Sequence, residues 1–301
     1  MSWVLLSLLS ALTLGVYDLL KKASVQDNAV LPVLFFSVVS GAFMWLPFVF
    51  WSGFHAESLP VSFFYVAPLS PQHHLALLAK SALVATSWMF GYAALKQLPL
   101  STAGPIRSTG PLWTIFIAVL VLGETPTSWQ WLGMLVILGA FYAFSFVGKL
   151  EGIHFARNRW VWFMVIATLI GATSSLYDKY LLQRLRLAPS TVQAWFSLYL
   201  VLILLPTYFL WRRGIWATSK FTWRWSIPLI GISLLFADIL YFTAVSQPDA
   251  LISVISPLRR CSVLITFIGG VWLFHERRYA RAKVLCLAFL LVGVGFLHWR
   301  S

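Results

Sequence analysis

Ten stretches of predominantly apolar residues, 3–21, 30–52, 76–96, 101–122, 128–147, 160–181, 190–211, 224–245, 250–274 and 281–299, fill most of the 301-residue chain. A helix of about 20 such residues crosses the roughly 30 Å of a bilayer's hydrocarbon core. Spanning strands would need segments of about ten residues that alternate apolar and polar positions. Runs such as Ile115-Phe116-Ile117-Ala118-Val119-Leu120-Val121-Leu122 do not alternate. Charged residues make up only 10% of the sequence, against about 25% in a soluble domain. A water-soluble core of this length has no room for 16 Trp and 24 Phe. The expected class is an all-α integral membrane protein with ten transmembrane helices.

Residues 1–20 lack a basic start and a small-residue cleavage site, so they read as a first span and not as a cleaved signal. Cys261 and Cys286 both fall inside predicted spans and form no ligand cluster or disulfide framework. His55, His73 and His74 lie in the connection 53–75 and read as solvated or interfacial groups. No metal site and no cofactor are expected. The net charge of +13 raises the question of a nucleic-acid partner, but its distribution answers it. In a ten-span topology 14 of the 22 basic residues fall on one side, four on the other and four within spans. An excess of Lys and Arg marks the cytoplasmic side. The reading is a multi-pass cell-membrane protein with both termini on the same, outer side and no nucleic-acid partner.

The chain also reads as duplicated. Pro105-Ile106-Arg107 recurs as Pro257-Leu258-Arg259 and Glu124 recurs as Glu276, both at an offset of 152. Tyr92-Ala93-Ala94-Leu95-Lys96-Gln97 resembles Phe242-Thr243-Ala244-Val245-Ser246-Gln247 at an offset of 150, and Tyr17-Asp18 matches Tyr177-Asp178 at 160. Two repeats follow, 1–150 and 151–301, each with five spans. An odd number of spans turns the second copy upside down relative to the first. Inverted repeats of this kind suit alternating access, because the two copies can exchange conformations.

This plan resembles the drug/metabolite transporter superfamily, its EamA branch in particular. The text that carries the resemblance is Ser108-Thr109-Gly110-Pro111-Leu112 through Leu122-Gly123-Glu124, then Trp129-Gln130-Trp131-Leu132-Gly133. Its second copy is Ser256-Pro257-Leu258-Arg259-Arg260 through His275-Glu276, with His275 departing from the Gly123 of the first. Family members are usually drawn with cytoplasmic termini, whereas the charge count of this chain places them outside. The resemblance also implies that spans five and ten lie at the periphery, where they support a homodimer. Gly133, Gly139, Gly293 and Gly295 on those spans fit close helix packing.

Ionisable side chains inside spans cost about 2.5–3.5 kcal/mol on insertion scales, so those present are the first candidates for a site. Arg259 and Arg260 fall near the middle of span nine, just after Pro257, where the helix can kink. Guanidinium groups there suit bidentate capture of a phosphate or carboxylate. An adjacent basic pair at this place is similar to the phosphate-binding pair of the plastid sugar-phosphate translocators. The plainer reading makes one Arg a structural counter-ion of Asp238. Arg107 is the repeat partner of Arg259, and Lys80 is a fourth intramembrane cation; snorkelling to the interface is the alternative for both. Asp238 reads as an ion-pair partner or a protonation site for coupling. Trp88, Tyr92 and Tyr241 are candidate stacking surfaces, and Asp18, Asp178 and Lys179 read as local salt bridges or gates at helix ends.

No phosphate-cradling loop, nucleotide-hydrolysing motif or nucleophile–base pair occurs, so no enzymatic activity is expected. The leading expectation is a secondary active transporter for a small organic anion, phosphorylated metabolites included. A flippase for an anionic lipid carrier or lipid-linked sugar is the second reading, and a membrane scaffold or sensor is the third.

Overall fold

The computed structural model describes all residues except 1, 60, 98–105, 108, 147–157, 216–219, 263, 266–267, 270–271, 273–279 and 299–301. Ten α-helices of eight residues or more, and no strand, occur among the described residues. They are α1 (Trp3–Val25), α2 (Val30–Phe54), α3 (Pro71–Gln97), α4 (Gly110–Leu122), α5 (Ser128–Phe146), α6 (Arg159–Lys179), α7 (Pro189–Arg212), α8 (Ser226–Val245), α9 (Ile252–Arg259) and α10 (Ala280–His298). A π-helical turn, Tyr180–Arg184, continues α6. Each of the ten apolar stretches of the sequence overlaps one of these helices. Five are long and apolar enough to cross a bilayer on length and composition: α1, α2, α6 with its π turn, α7 and α8. α4 and parts of α5 and α10 are shorter apolar helices.

The helices begin and end for local reasons. The Ser2 side chain accepts from the Leu5 N–H and caps α1. Pro111 and Pro189 stand in the first turns of α4 and α7, where a missing N–H costs nothing. Gly123 ends α4 at φ 67°, a left-handed conformation that suits glycine. Small polar residues in the apolar helices return their hydroxyl protons to their own turn. Ser7 donates to the Trp3 carbonyl at 2.7 Å, Ser81 to Leu77 at 2.9 Å and Thr168 to Met164 at 2.8 Å. No water is at hand in a hydrocarbon layer to satisfy such groups.

The exterior is apolar. Phe43, Phe54, Val121, Trp225 and Trp272 are each between 69% and 79% exposed. A soluble surface rarely presents so much contiguous hydrocarbon, and these side chains suit lipid.

The chain divides into two compact units: 1–85 with 178–248, and 86–177 with 249–301. Each unit draws on both the first and the second half of the chain, so units and sequence repeats are different divisions. In the first unit α1 packs along α8, and α2 packs against α7 and α8. The α2–α8 crossing is made by Gly41 and Gly231, and a Cβ on Gly231 would lie 1.9 Å from the Ser37 carbonyl oxygen. Ser10 donates to the Ala237 carbonyl at 2.6 Å, and Asn28 bridges to the Thr222 backbone through both its N–H and its carbonyl. In the second unit α5 packs on α10, and α4 on α9. Ser87 of α3 donates to the Ala167 carbonyl of α6 at 2.7 Å. Gly293 sits against Gly133 and Ile137, as close packing of spans five and ten anticipates; Gly139 and Gly295 meet no neighbour within 4 Å.

Candidate functional site

Two groups of polar side chains stand out, one in each unit. In the first, α3 carries Lys80 and the end of α6 carries Asp178. Lys80 Nζ lies 2.6 Å from Asp178 Oδ1, with only 4% and 3% of the two side chains exposed. The Tyr241 hydroxyl of α8 donates to Asp178 Oδ2 at 3.2 Å. The ammonium also stands 5.2 Å from the Phe196 ring centre and 5.9 Å from that of Phe242, where the negative ring faces attract it. The sequence pairs Asp178 with its neighbour Lys179 and lets Lys80 snorkel; the structure pairs Asp178 with Lys80 instead. α3 begins at Pro71, five residues earlier than expected, so Lys80 is its tenth residue, and its ammonium is buried beside Asp178. A buried ammonium is tolerable only beside a carboxylate. The π turn begins at Tyr180, two residues after Asp178; such turns often mark functional positions. Asp238 is buried on α8, one turn before Tyr241, and its charge acts on Asp178.

In the second unit two basic residues stand at a helix break. Proline 257 lacks an N–H and crowds the carbonyl four residues back, and α9 ends two residues later, at Arg259. A 3-10 turn, Arg260–Ser262, follows, with the Arg260 N–H turned to the Pro257 and Leu258 carbonyls. The two arginines are half-buried. Arg260 Nη2 reaches the first residue of α4, since a Cβ on Gly110 would lie 3.3 Å from it. Arg107, also half-buried, stands three residues before Gly110 in a short helical turn that Ile106 anchors beside Val161 and Met164.

Glu124, a landmark of the repeat in the sequence, has a definite task here. Its carboxylate accepts from the N–H groups of Ile252 and Ser253 at 2.9 and 3.0 Å and from the Ser253 hydroxyl at 2.5 Å. It thus holds the first turn of α9, where a helix presents free N–H groups and partial positive charge. Replacing Glu124 with Ala should destabilise the protein by about 3 kcal/mol, because buried N–H groups lose a charged acceptor. Thermal unfolding in detergent checks this, with Ser253→Ala as the milder companion.

The remaining candidates are dispersed. Trp88 is half-buried on α3, in the second unit, whereas Asp238, its repeat equivalent, belongs to the first. The side chain of Tyr92 lies outside the described residues. Asp18 is half-buried on α1, and Lys21, one turn on, lies 5.4 Å from the Tyr17 ring centre. Lys179 is half-buried beside Asp178. Cys261 is buried and Cys286 half-buried, and both are free thiols. Among the described residues no group of three or more His, Cys, Asp or Glu is placed to hold a metal ion. His74 instead shares a hydrogen bond of 2.8 Å with the Tyr199 hydroxyl and stands edge-on to Trp195.

Residues 1–146 match the model of the EamA-like transporter family. The first half of this chain is EamA-like. A solved structure titled only as a crystal structure of a protein superposes on 98% of this chain and 95% of its own, with a TM-score of 0.71 at 14% identity. That likeness concerns the fold. No curated protein matches the chain in sequence. The apolar helices and the match over residues 1–146 together indicate a multi-pass membrane protein.

Proposed function

We propose that this protein is a secondary transporter for a small organic anion, and that Arg259, Arg260 and Arg107 receive the anion. The observation that carries the reading is the Arg260 guanidinium, which reaches Gly110 at the start of α4 from the helix break that ends α9. Arg259 adjoins Arg260 at the break, and Arg107 lies three residues before Gly110 in the sequence. A half-buried guanidinium favours an anion beside it. Arginine suits this role because its planar fork matches phosphate and carboxylate.

The duplicated plan supports alternating access by two inverted five-helix halves. The main packed pairs, α1 with α8, α2 with α7, α4 with α9 and α5 with α10, each join a helix of the first half to one of the second. The bond from Glu124 to Ser253 does the same, and both residues recur in the sequence: Ser101 stands 152 positions before Ser253, and Glu276 stands 152 after Glu124. Two copies of one plan give two arrangements of similar energy, which is what exchange between inward and outward states requires.

The test is binding followed by uptake. Inorganic phosphate, a sugar phosphate and a tricarboxylate are offered to the purified protein, because a ligand of the folded state raises its melting temperature. At least one anion is expected to stabilise it. Arg259→Ala and Arg260→Ala should each weaken that binding ten- to a hundred-fold, the worth of about 1.5–3 kcal/mol for a charged hydrogen bond. Uptake into proteoliposomes should fall with it. Binding and uptake unchanged in both variants would remove the anion reading.

A further inference from the structure

Three segments distant in sequence meet at one end of the first unit: the link from α1 to α2, the end of α7 and the stretch that leads into α8. The Arg224 guanidinium donates to the Ala23 carbonyl at 2.5 Å, the Ser24 and Ser226 hydroxyls share a hydrogen bond of 2.5 Å, and Asn28 holds the Thr222 backbone. The Phe221 ring lies 5.5 Å from that of Phe36 on α2 and 6.4 Å from that of Trp211 in the last turn of α7. α1, α2, α7 and α8 are each long and apolar enough to cross a bilayer. Their shared end therefore stands where hydrocarbon gives way to headgroups.

This rim is basic and aromatic at once. Stretches 18–28 and 211–226 hold six Lys or Arg against two Asp, Asp18 and Asp27. Gly214, at φ 80°, turns the chain out of α7, with its N–H on the Trp211 carbonyl and that of Ile215 on the Leu210 carbonyl. Arg212 and Arg213 are thereby held at the rim, and both are exposed, as is Lys220. Lys21 and Lys22 are half-buried near the end of α1. Trp223 and Trp225 flank Arg224, exposed, with ring centres 6.4 Å apart. Clustered Lys and Arg at the end of a span attract anionic lipid, and exposed Trp settles between hydrocarbon and water. A phospholipid headgroup meets both features, its phosphate on the cations and its glycerol region on the indoles. A soluble anion would use the first and leave the second idle.

We infer that this rim binds the headgroup of an anionic phospholipid, with Arg212, Arg213 and Lys220 meeting the phosphate and Trp223 and Trp225 the glycerol region. The inference does not depend on the transport reading, and none of these residues belongs to the proposed anion site.

The test titrates fluorescently labelled phosphatidylglycerol, and phosphatidylcholine with the same label, into the purified full-length protein in a neutral detergent. Phosphatidylglycerol should bind saturably and about ten-fold more tightly or better, and added salt should weaken it. Arg212→Gln, Arg213→Gln and Lys220→Gln together should weaken it about a hundred-fold, at about five-fold for each basic side chain near the surface. The melting temperature of that triple variant in neutral detergent alone should match wild type, which separates loss of the site from loss of the fold. Arg212→Lys with Arg213→Lys keeps the charge and should keep most of the binding. Arg184→Gln, at an exposed basic residue ahead of α7 and so at the opposite end of that helix, should leave it unchanged. Equal binding of the two lipids, or phosphatidylglycerol binding unchanged in the triple variant, would overturn the inference. Displacement of the labelled lipid by glycerol phosphate would also overturn it and give the rim to a soluble phosphate.

Discussion

Replacing Lys80 with methionine is expected to destabilise this protein by about 3–5 kcal/mol, the usual cost of leaving half of a buried ion pair behind. The carboxylate of Asp178 would remain among apolar side chains with the Tyr241 hydroxyl as its neutral donor. Asp178→Leu should cost as much, because it strands the ammonium against the Phe196 and Phe242 rings. The double variant Lys80→Met, Asp178→Leu should recover most of the loss, since two apolar side chains of similar size need no solvation. Unfolding of the four proteins in mixed micelles completes a double-mutant cycle, and a coupling energy above about 2 kcal/mol is expected for groups in such contact. A loss in the double variant equal to the sum of the two single losses would show that the pair contributes nothing. Should the double variant fold well yet fail in transport, the charges are kept for function and not for stability.

A second large effect is expected at Gly231. An added methyl group would meet the Ser37 carbonyl oxygen at 1.9 Å and the Gly41 nitrogen at 2.9 Å. Both obstacles are backbone, so no rotamer change relieves them. Overpacking ordinarily costs about 1–3 kcal/mol, and Gly231→Ala should reach the top of that range or exceed it by forcing α2 and α8 apart. Gly139→Ala is the matched control. Nothing lies within 4 Å of its added carbon, and alanine is the better helix former by up to about 1 kcal/mol. Yield of monodisperse protein and melting temperature should fall sharply for the first substitution and hold or rise for the second. A small-residue crossing is how membrane helices approach closely when no hydrophobic driving force separates helix from lipid.

Much of the fold was legible because hydropathy in a membrane protein is a nearly local property. Each apolar stretch overlaps one helix, since a backbone in hydrocarbon must satisfy its own hydrogen bonds. Proline 257 announced the break at which Arg259 and Arg260 stand. The recurrence of Glu124 as Glu276 flagged a residue of consequence, but its partner could not be read from spacing. Ser253 lies 129 positions away, and only the packing of α4 on α9 brings the two together. Lys80 and Asp178 were both visible as costly charges. Their pairing was not, because local spacing favoured Lys179 for Asp178.

The sequence by itself determined where helices form, that the molecule lives in a bilayer and which charges must be sheltered. Those are consequences of solvation, which each residue meets wherever its neighbours in space turn out to be. The tertiary structure alone decided which sheltered groups meet. It set the ammonium of Lys80 against Asp178, Glu124 against the start of α9 and Arg260 against Gly110. Such partners depend on how helices from the two halves of the chain cross, and crossing is fixed by the shapes of side chains that hydropathy does not distinguish.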